Sequence, residues 1–84
     1  MARVVLTPQA AEAFDALPKR VRARIYRLRQ RLENWPAVSG ARPLTGKLAG
    51  SWRLRTGDYR LQFRVEGQTV VIEKIGHRER FYEE

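Results

Sequence analysis

Between Trp52 and Val65 the cations fall on alternate positions. Arg53 and Arg55 precede Gly57-Asp58, and Arg60, Gln62 and Arg64 follow it. His77, Arg78, Arg80 and Tyr82 come a little further on. A guanidinium is a planar fork that grips phosphate bidentately and stacks on bases. Imidazole titrates near neutrality, and neighbouring cations favour its neutral form, which can act as a base. The set therefore joins groups that hold an anion to one that can move a proton. Tyr82 can stack on a base or donate a proton, or simply pack its ring on the protein. Like charges facing each other across two strands destabilise a sheet, so such a face is better tolerated when an anion visits it. The alternative is a solvated face, with the arginine heads splayed into water.

Charge over the whole chain points the same way. The 84 residues carry 17 Lys+Arg against 9 Asp+Glu, a formal net charge of +8, and arginine supplies 14 of the 17 cations. Such an excess on a small domain raises affinity for polyanions whatever the fold. With 43% hydrophobic residues the chain has enough apolar surface for one domain with a modest core, expected over residues 1–84. No apolar run approaches a membrane span, and Met1-Ala2-Arg3 runs into Val4-Val5-Leu6 without a secretory cleavage pattern. The chain has no cysteine, which fits a reducing cytoplasm and leaves no thiolate metal site.

The elements that must position these residues are legible from periodicity. Arg3-Val4-Val5-Leu6 is short and β-branched, a first strand. Thr7-Pro8 supplies a capping hydroxyl followed by proline at a first helical position, and Ala10, Ala11, Phe14 and Leu17 continue at helical spacing. Pro18 separates this helix from a second over residues 19–35, whose apolar stripe is Val21, Ile25, Leu28, Leu32 and Trp35. Its remaining positions hold Arg20, Arg22, Arg24, Arg27, Arg29 and Arg31, either a solvated face or one turned towards a large RNA. Residues 37–51, with three glycines and a proline, read as a loop. The period then becomes two. Trp52, Leu54 and Thr56, then Tyr59, Leu61, Phe63 and Val65, form the apolar face of a hairpin turned at Gly57-Asp58. Residues 69–75 form a nearly continuous apolar strand, expected to lie centrally. The fold class is α+β, two helices on one face of a small twisted sheet.

Phosphate-cradling glycine loops, nucleophile elbows and paired-histidine metal motifs are missing from the sequence. One histidine and no cysteine argue against a zinc site. Four pieces stand in a particular order: Thr45-Gly46-Lys47-Leu48, Ser51-Trp52-Arg53-Leu54-Arg55, Gly57-Asp58-Tyr59-Arg60-Leu61, and Ile75-Gly76-His77-Arg78-Glu79-Arg80-Phe81-Tyr82. In that order they resemble the RelE/ParE superfamily of bacterial toxins, over the whole chain once the two helices are included.

The resemblance implies an N-terminal strand and a two-helix hairpin packed on a four-stranded antiparallel or mixed sheet. It also implies the toxin of a type II toxin–antitoxin pair. RelE-like members cut messenger RNA in the A site of the 70S ribosome without metal or cofactor. The ribose 2′-hydroxyl attacks the adjacent phosphorus and leaves a 2′,3′-cyclic phosphate. By resemblance Arg60 and Arg78 are phosphate-binding arginines and Tyr82 the base-stacking tyrosine, while Arg53 and Arg55 stand where such toxins have lysines. Arginine keeps its proton, with a pKa above about 12. The acid–base work therefore shifts to His77, Tyr82, or Lys47 if its loop folds back. Catalysis is assigned to His77, Arg60, Arg78 and Tyr82, and RNA phosphate contacts to Lys47, Arg53, Arg55, Arg64 and Arg80. The implied partner is a cognate antitoxin, acidic to match the charge. The same fold also serves a ParE-like poison of DNA gyrase, and a third reading is a basic RNA-binding module without catalysis.

Overall fold

The computed structural model describes residues 1–79. Strand β1 (Arg3–Leu6) leads into helices α1 (Pro8–Asp15) and α2 (Lys19–Leu32), followed by β2 (Arg42–Pro43), a 3-10 turn (Gly46–Leu48), β3 (Ser51–Thr56), β4 (Tyr59–Glu66) and β5 (Thr69–His77). The five strands form one mixed sheet in the order β1-β5-β4-β3-β2. The β1–β5 pair is parallel and the other pairs are antiparallel.

Local chemistry explains where the helices begin and end. Thr7 is extended, and its Oγ1 accepts the Ala10 N–H at 3.1 Å, so one orphan donor of α1 is capped while Pro8 fills the first turn. α2 buries Ile25, Leu28 and Leu32 against the sheet. It ends at Leu32, short of the expected Trp35, but the stripe continues. The N–H groups of Glu33, Asn34 and Trp35 bond to carbonyls three residues back, a tighter winding that still brings Trp35 to the sheet. There its ring meets those of Trp52 and Phe63 edge-on, at 4.9 and 5.3 Å between centroids. The Trp35–Pro36 peptide is cis.

The expected four-stranded sheet has a fifth strand. Arg42 and Pro43, within the segment read as loop, pair with Arg53 and Trp52 at the outer edge of β3. Two residues are too short to show a period, and proline is tolerated at a sheet edge because its missing N–H faces solvent. The hairpin falls as expected: β3 and β4 pair from Ser51↔Arg64 to Thr56↔Tyr59 around Gly57, whose φ of +57° suits glycine. The apolar strand β5 lies between β1 and β4 and continues to His77.

Leu54, Leu61, Phe63, Val70, Ile72 and Ile75 face the helices and are buried with Ala10, Ile25, Leu28 and Leu32. One irregularity keeps them on one side. Phe63 pairs with Ile72, yet Gln62 pairs with Lys74, so Glu73 is an extra residue in β5, a β-bulge. Past the bulge the alternation resumes in shifted phase, and Ile75 lands opposite Leu61 in the core.

Phe63 is fully buried at the centre of this cluster. Its truncation to alanine should cost about 3–5 kcal/mol in chemical denaturation, from lost transfer energy plus the cavity left behind. A loss well under 1 kcal/mol would contradict the packing described.

Candidate functional site

Because directly opposed strand residues share a face, the register assembles the side chains turned away from the helices into rows. One row runs Arg42, Arg53, Gln62, Lys74 across β2, β3, β4 and β5. The next runs Arg55, Arg60, Gly76, and the one on the other side runs Ser51, Arg64, Val71. Adjacent strands are about 4.8 Å apart, so five cations (Arg42, Arg53, Arg55, Arg60 and Lys74) share a patch about 15 Å across. Arg42 and Arg55 are exposed, while Arg53, Arg60 and Lys74 are partly buried. Gly76, which has no side chain, is partly buried and stands opposite Arg60 in this row.

The bulged Glu73 governs one end of the patch. Its Oε1 accepts from Ser51 Oγ at 2.8 Å and Gln62 Nε2 at 3.2 Å, and its Oε2 from Arg64 Nη1 at 3.0 Å. The same arginine donates through Nε to Glu66. Desolvation raises the Glu73 pKa, but hydrogen bonds from Ser51, Gln62 and Arg64, with the Arg64 charge, outweigh it and hold the carboxyl below its ordinary value. Arg64, expected to bind phosphate, thus already faces two carboxylates. Thr7 Oγ1 donates to the Glu73 carbonyl at 3.3 Å, tying the bulge to the start of α1.

His77 stands at the end of β5 opposite Tyr59, on the helix side of the sheet, with the rings edge-on at 5.1 Å. Its Nδ1 accepts the exposed N–H of Glu79 at 3.2 Å, so the neutral ring carries its proton on Nε2. Arg78 follows at the rim. Its N–H donates to the Asp58 carbonyl at 2.7 Å, and its Nε lies 3.7 Å from Asp58 Oδ1, a solvated pair of small energetic weight. Lys47 is exposed in the Gly46–Leu48 turn that leads into β3, off the three rows. Arg80 and Tyr82 lie outside the described residues.

The structure thus brings Arg53, Arg55 and Arg60 together as expected. It adds Arg42 and Lys74 to them and puts His77 and Arg78 at the rim. Arg42 was hidden in a loop. Lys74 was hidden in an apolar strand, and its own cationic type was the only signal. Among the described residues no group of three or more His, Cys, Asp or Glu could hold a metal ion. A cleft lined by Met1, Ala2, Trp35, Pro36, Gly67 and Gln68 opens at the β4–β5 turn and, among the described residues, contains none of the expected site residues.

A family model described as the ParE toxin of the type II toxin–antitoxin system parDE matches residues 4–82. Among solved structures, the chain is similar to one in the RelBE2 toxin–antitoxin complex of Mycobacterium tuberculosis, with 32% identity and a TM-score of 0.81 over 92% of this chain and 91% of that one. The archaeal RelE–RelB complex of Pyrococcus horikoshii contains another, 30% identical, with a TM-score of 0.74 over 94% and 97%. The isolated RelE toxin of E. coli shares the fold at 14% identity, with a TM-score of 0.77 over 92% and 84%. A search of curated proteins found no match.

Glu73 binds its proton more weakly in the folded chain than in the unfolded one. The stability it contributes is therefore fully present above the ordinary carboxyl value near 4.5 and is lost as the pH falls through its lower folded value. In urea unfolding at neutral pH, Glu73→Gln should be less stable than the wild type by about 1–3 kcal/mol. The difference should narrow in acid; one that persists unchanged well below the carboxyl range would contradict a proton-linked network.

Proposed function

Because the chain belongs to the RelE/ParE superfamily, the toxins of type II toxin–antitoxin systems, we propose that it is a ribosome-dependent messenger RNA endoribonuclease. The observation that carries this reading is the five-cation face of the sheet. Transesterification at phosphorus needs positive charge on the non-bridging oxygens more than it needs covalent help. Arg60 across from Gly76 and Arg55 beyond it supply that charge, Arg53 holds a neighbouring phosphate, and Arg78 closes the rim. Tyr82, carried over from the resemblance, stacks on a base.

The 2′-hydroxyl proton goes to His77, reached around the end of β5 because its ring lies on the helix side against Tyr59. Its Nδ1 becomes the acceptor once the exposed Glu79 N–H is released. The partner that silences the toxin is a cognate antitoxin. A net charge of +8 favours an acidic one, with binding that weakens as salt rises. Messenger RNA in the A site of the 70S ribosome is the substrate, and the cytoplasm the place of action. Among the described residues no helix is long and apolar enough to cross a membrane.

The match to a ParE family model keeps one rival reading in play, inhibition of DNA gyrase through a protein interface. Induced expression followed by primer extension on a reporter message separates the readings. Cuts within translated codons support the nuclease. Intact message with induction of the DNA-damage response supports gyrase, and neither outcome leaves a non-catalytic RNA-binding module.

In the first case Arg55→Ala, His77→Ala and Arg78→Ala should each lower cleavage, by on the order of 10²–10³ for loss of a transition-state contact. All three positions lie on the surface or rim, so circular dichroism and thermal melts should show folded protein. Full toxicity in all three variants would remove the site from consideration.

A further inference from the structure

Resting on the nuclease reading, we propose that Lys74 is the general acid of the cleavage, giving its Nζ proton to the departing 5′-oxygen. The bulge at Glu73 places Lys74 on the cationic face, opposite Gln62 and in the row of Arg53. It also stands two residues before Gly76, the register partner of Arg60, hence about 6.8 Å from it along the strand. A lysine side chain spans that distance, so a phosphate held by Arg60 comes within reach of the Lys74 ammonium.

Chemistry singles out the lysine among its neighbours. Arg42, Arg53, Arg55 and Arg60 fix charge, but a guanidinium does not give up its proton near neutrality. Glu73 is occupied as an ionised acceptor by Ser51, Gln62 and Arg64, and the Ser51 hydroxyl points its hydrogen into that carboxylate. An ammonium can donate its proton and recover one from water.

The step balances. The 2′-hydroxyl proton passes to His77 as the 2′-O–P bond forms. The P–O5′ bond breaks, and the Lys74 proton completes the 5′-hydroxyl product beside a 2′,3′-cyclic phosphate. Lys74 then takes a proton from solvent, and His77 returns one.

The test compares wild type, Lys74→Arg and Lys74→Met on programmed 70S ribosomes with two messages. One is ordinary RNA, and the other has sulfur in place of the bridging 5′-oxygen at the cut. On ordinary RNA both variants should slow by on the order of 10²–10⁴, the range of general acid–base catalysis. On the sulfur message both should approach the wild-type rate, because a thiolate leaves without a proton. Near wild-type cleavage of ordinary RNA by Lys74→Arg would reduce Lys74 to a fixed charge and overturn the proposal. Slow cleavage of both messages by both variants would overturn it too, since the defect would lie elsewhere than in leaving-group protonation. If the wild type itself cuts neither message, the nuclease reading falls first and this proposal with it. Thermal melts should show both variants folded.

Discussion

The extra residue in β5 is the constraint on which both faces of the sheet depend. Up to Ile72 the strand alternates in phase with β4, with Val70 and Ile72 turned to the helices. Had that alternation continued, Lys74 would point into the apolar core and Ile75 into water, exchanging a buried aliphatic for a buried charge. The bulge resets the phase, so that Ile75 meets Leu61 inside while Lys74 joins Gln62 outside. A bulge leaves one residue without regular pairing. Here that residue is anchored at both ends, by Thr7 on its carbonyl and by Ser51, Gln62 and Arg64 on its carboxylate. The first turn of α1, the edge of β3 and the middle of β4 thus converge on a single position.

The same residue gives the outer face its electrostatic shape. Cations opposite one another weaken a sheet by fractions of a kcal/mol per pair. Burial of Phe63, Ile72, Leu61 and their neighbours outweighs that repulsion. Glu73 and Glu66 balance Arg64 at one end, towards the β4–β5 turn. Towards the β3–β4 turn stand Arg55, Arg60 and, at the rim, Arg78, whose Asp58 partner is itself solvated. Carboxylates thus hold Arg64 at one end of the face, and Arg55, Arg60 and Gly76 lie towards the other.

How much of this was legible follows from the range of each interaction. α1 could be read from Thr7-Pro8 and α2 from its stripe, because capping and helical periodicity are local. The hairpin could be read because the side-chain period is two and Gly57-Asp58 interrupts it. These signals put Arg53, Arg55 and Arg60 on one face, as the register does. β2 escaped because two residues have no period, and Arg42 escaped with it. The bulge is a property of the pairing between β4 and β5, so nothing local to Glu73 announces it. The faces of Lys74 and His77 were illegible for that one reason. Unbroken alternation from Ile72 would have put His77 beside the arginines; the shifted phase puts it against Tyr59. The family was legible from the order of short motifs, which no single motif could have established.

On the proposed phosphate-binding face, arginine at positions 53 and 55 has a consequence that reaches beyond affinity. An arginine-lined face keeps its charge throughout the physiological pH range, so its grip on a polyanion responds to salt and hardly at all to protons. Any step that transfers a proton must then use the few titratable groups left at the edges of that face. Lys74 reaches it through a bulge and His77 sits at its rim. In the proposed nuclease, binding and chemistry are thereby divided between different residue types. In that reading the rows of β3 and β4 hold the phosphates, and the end of β5 moves the protons. A toxin with lysines at the positions of Arg53 and Arg55 would not separate the two, since the same side chains could both hold the phosphate and exchange its protons.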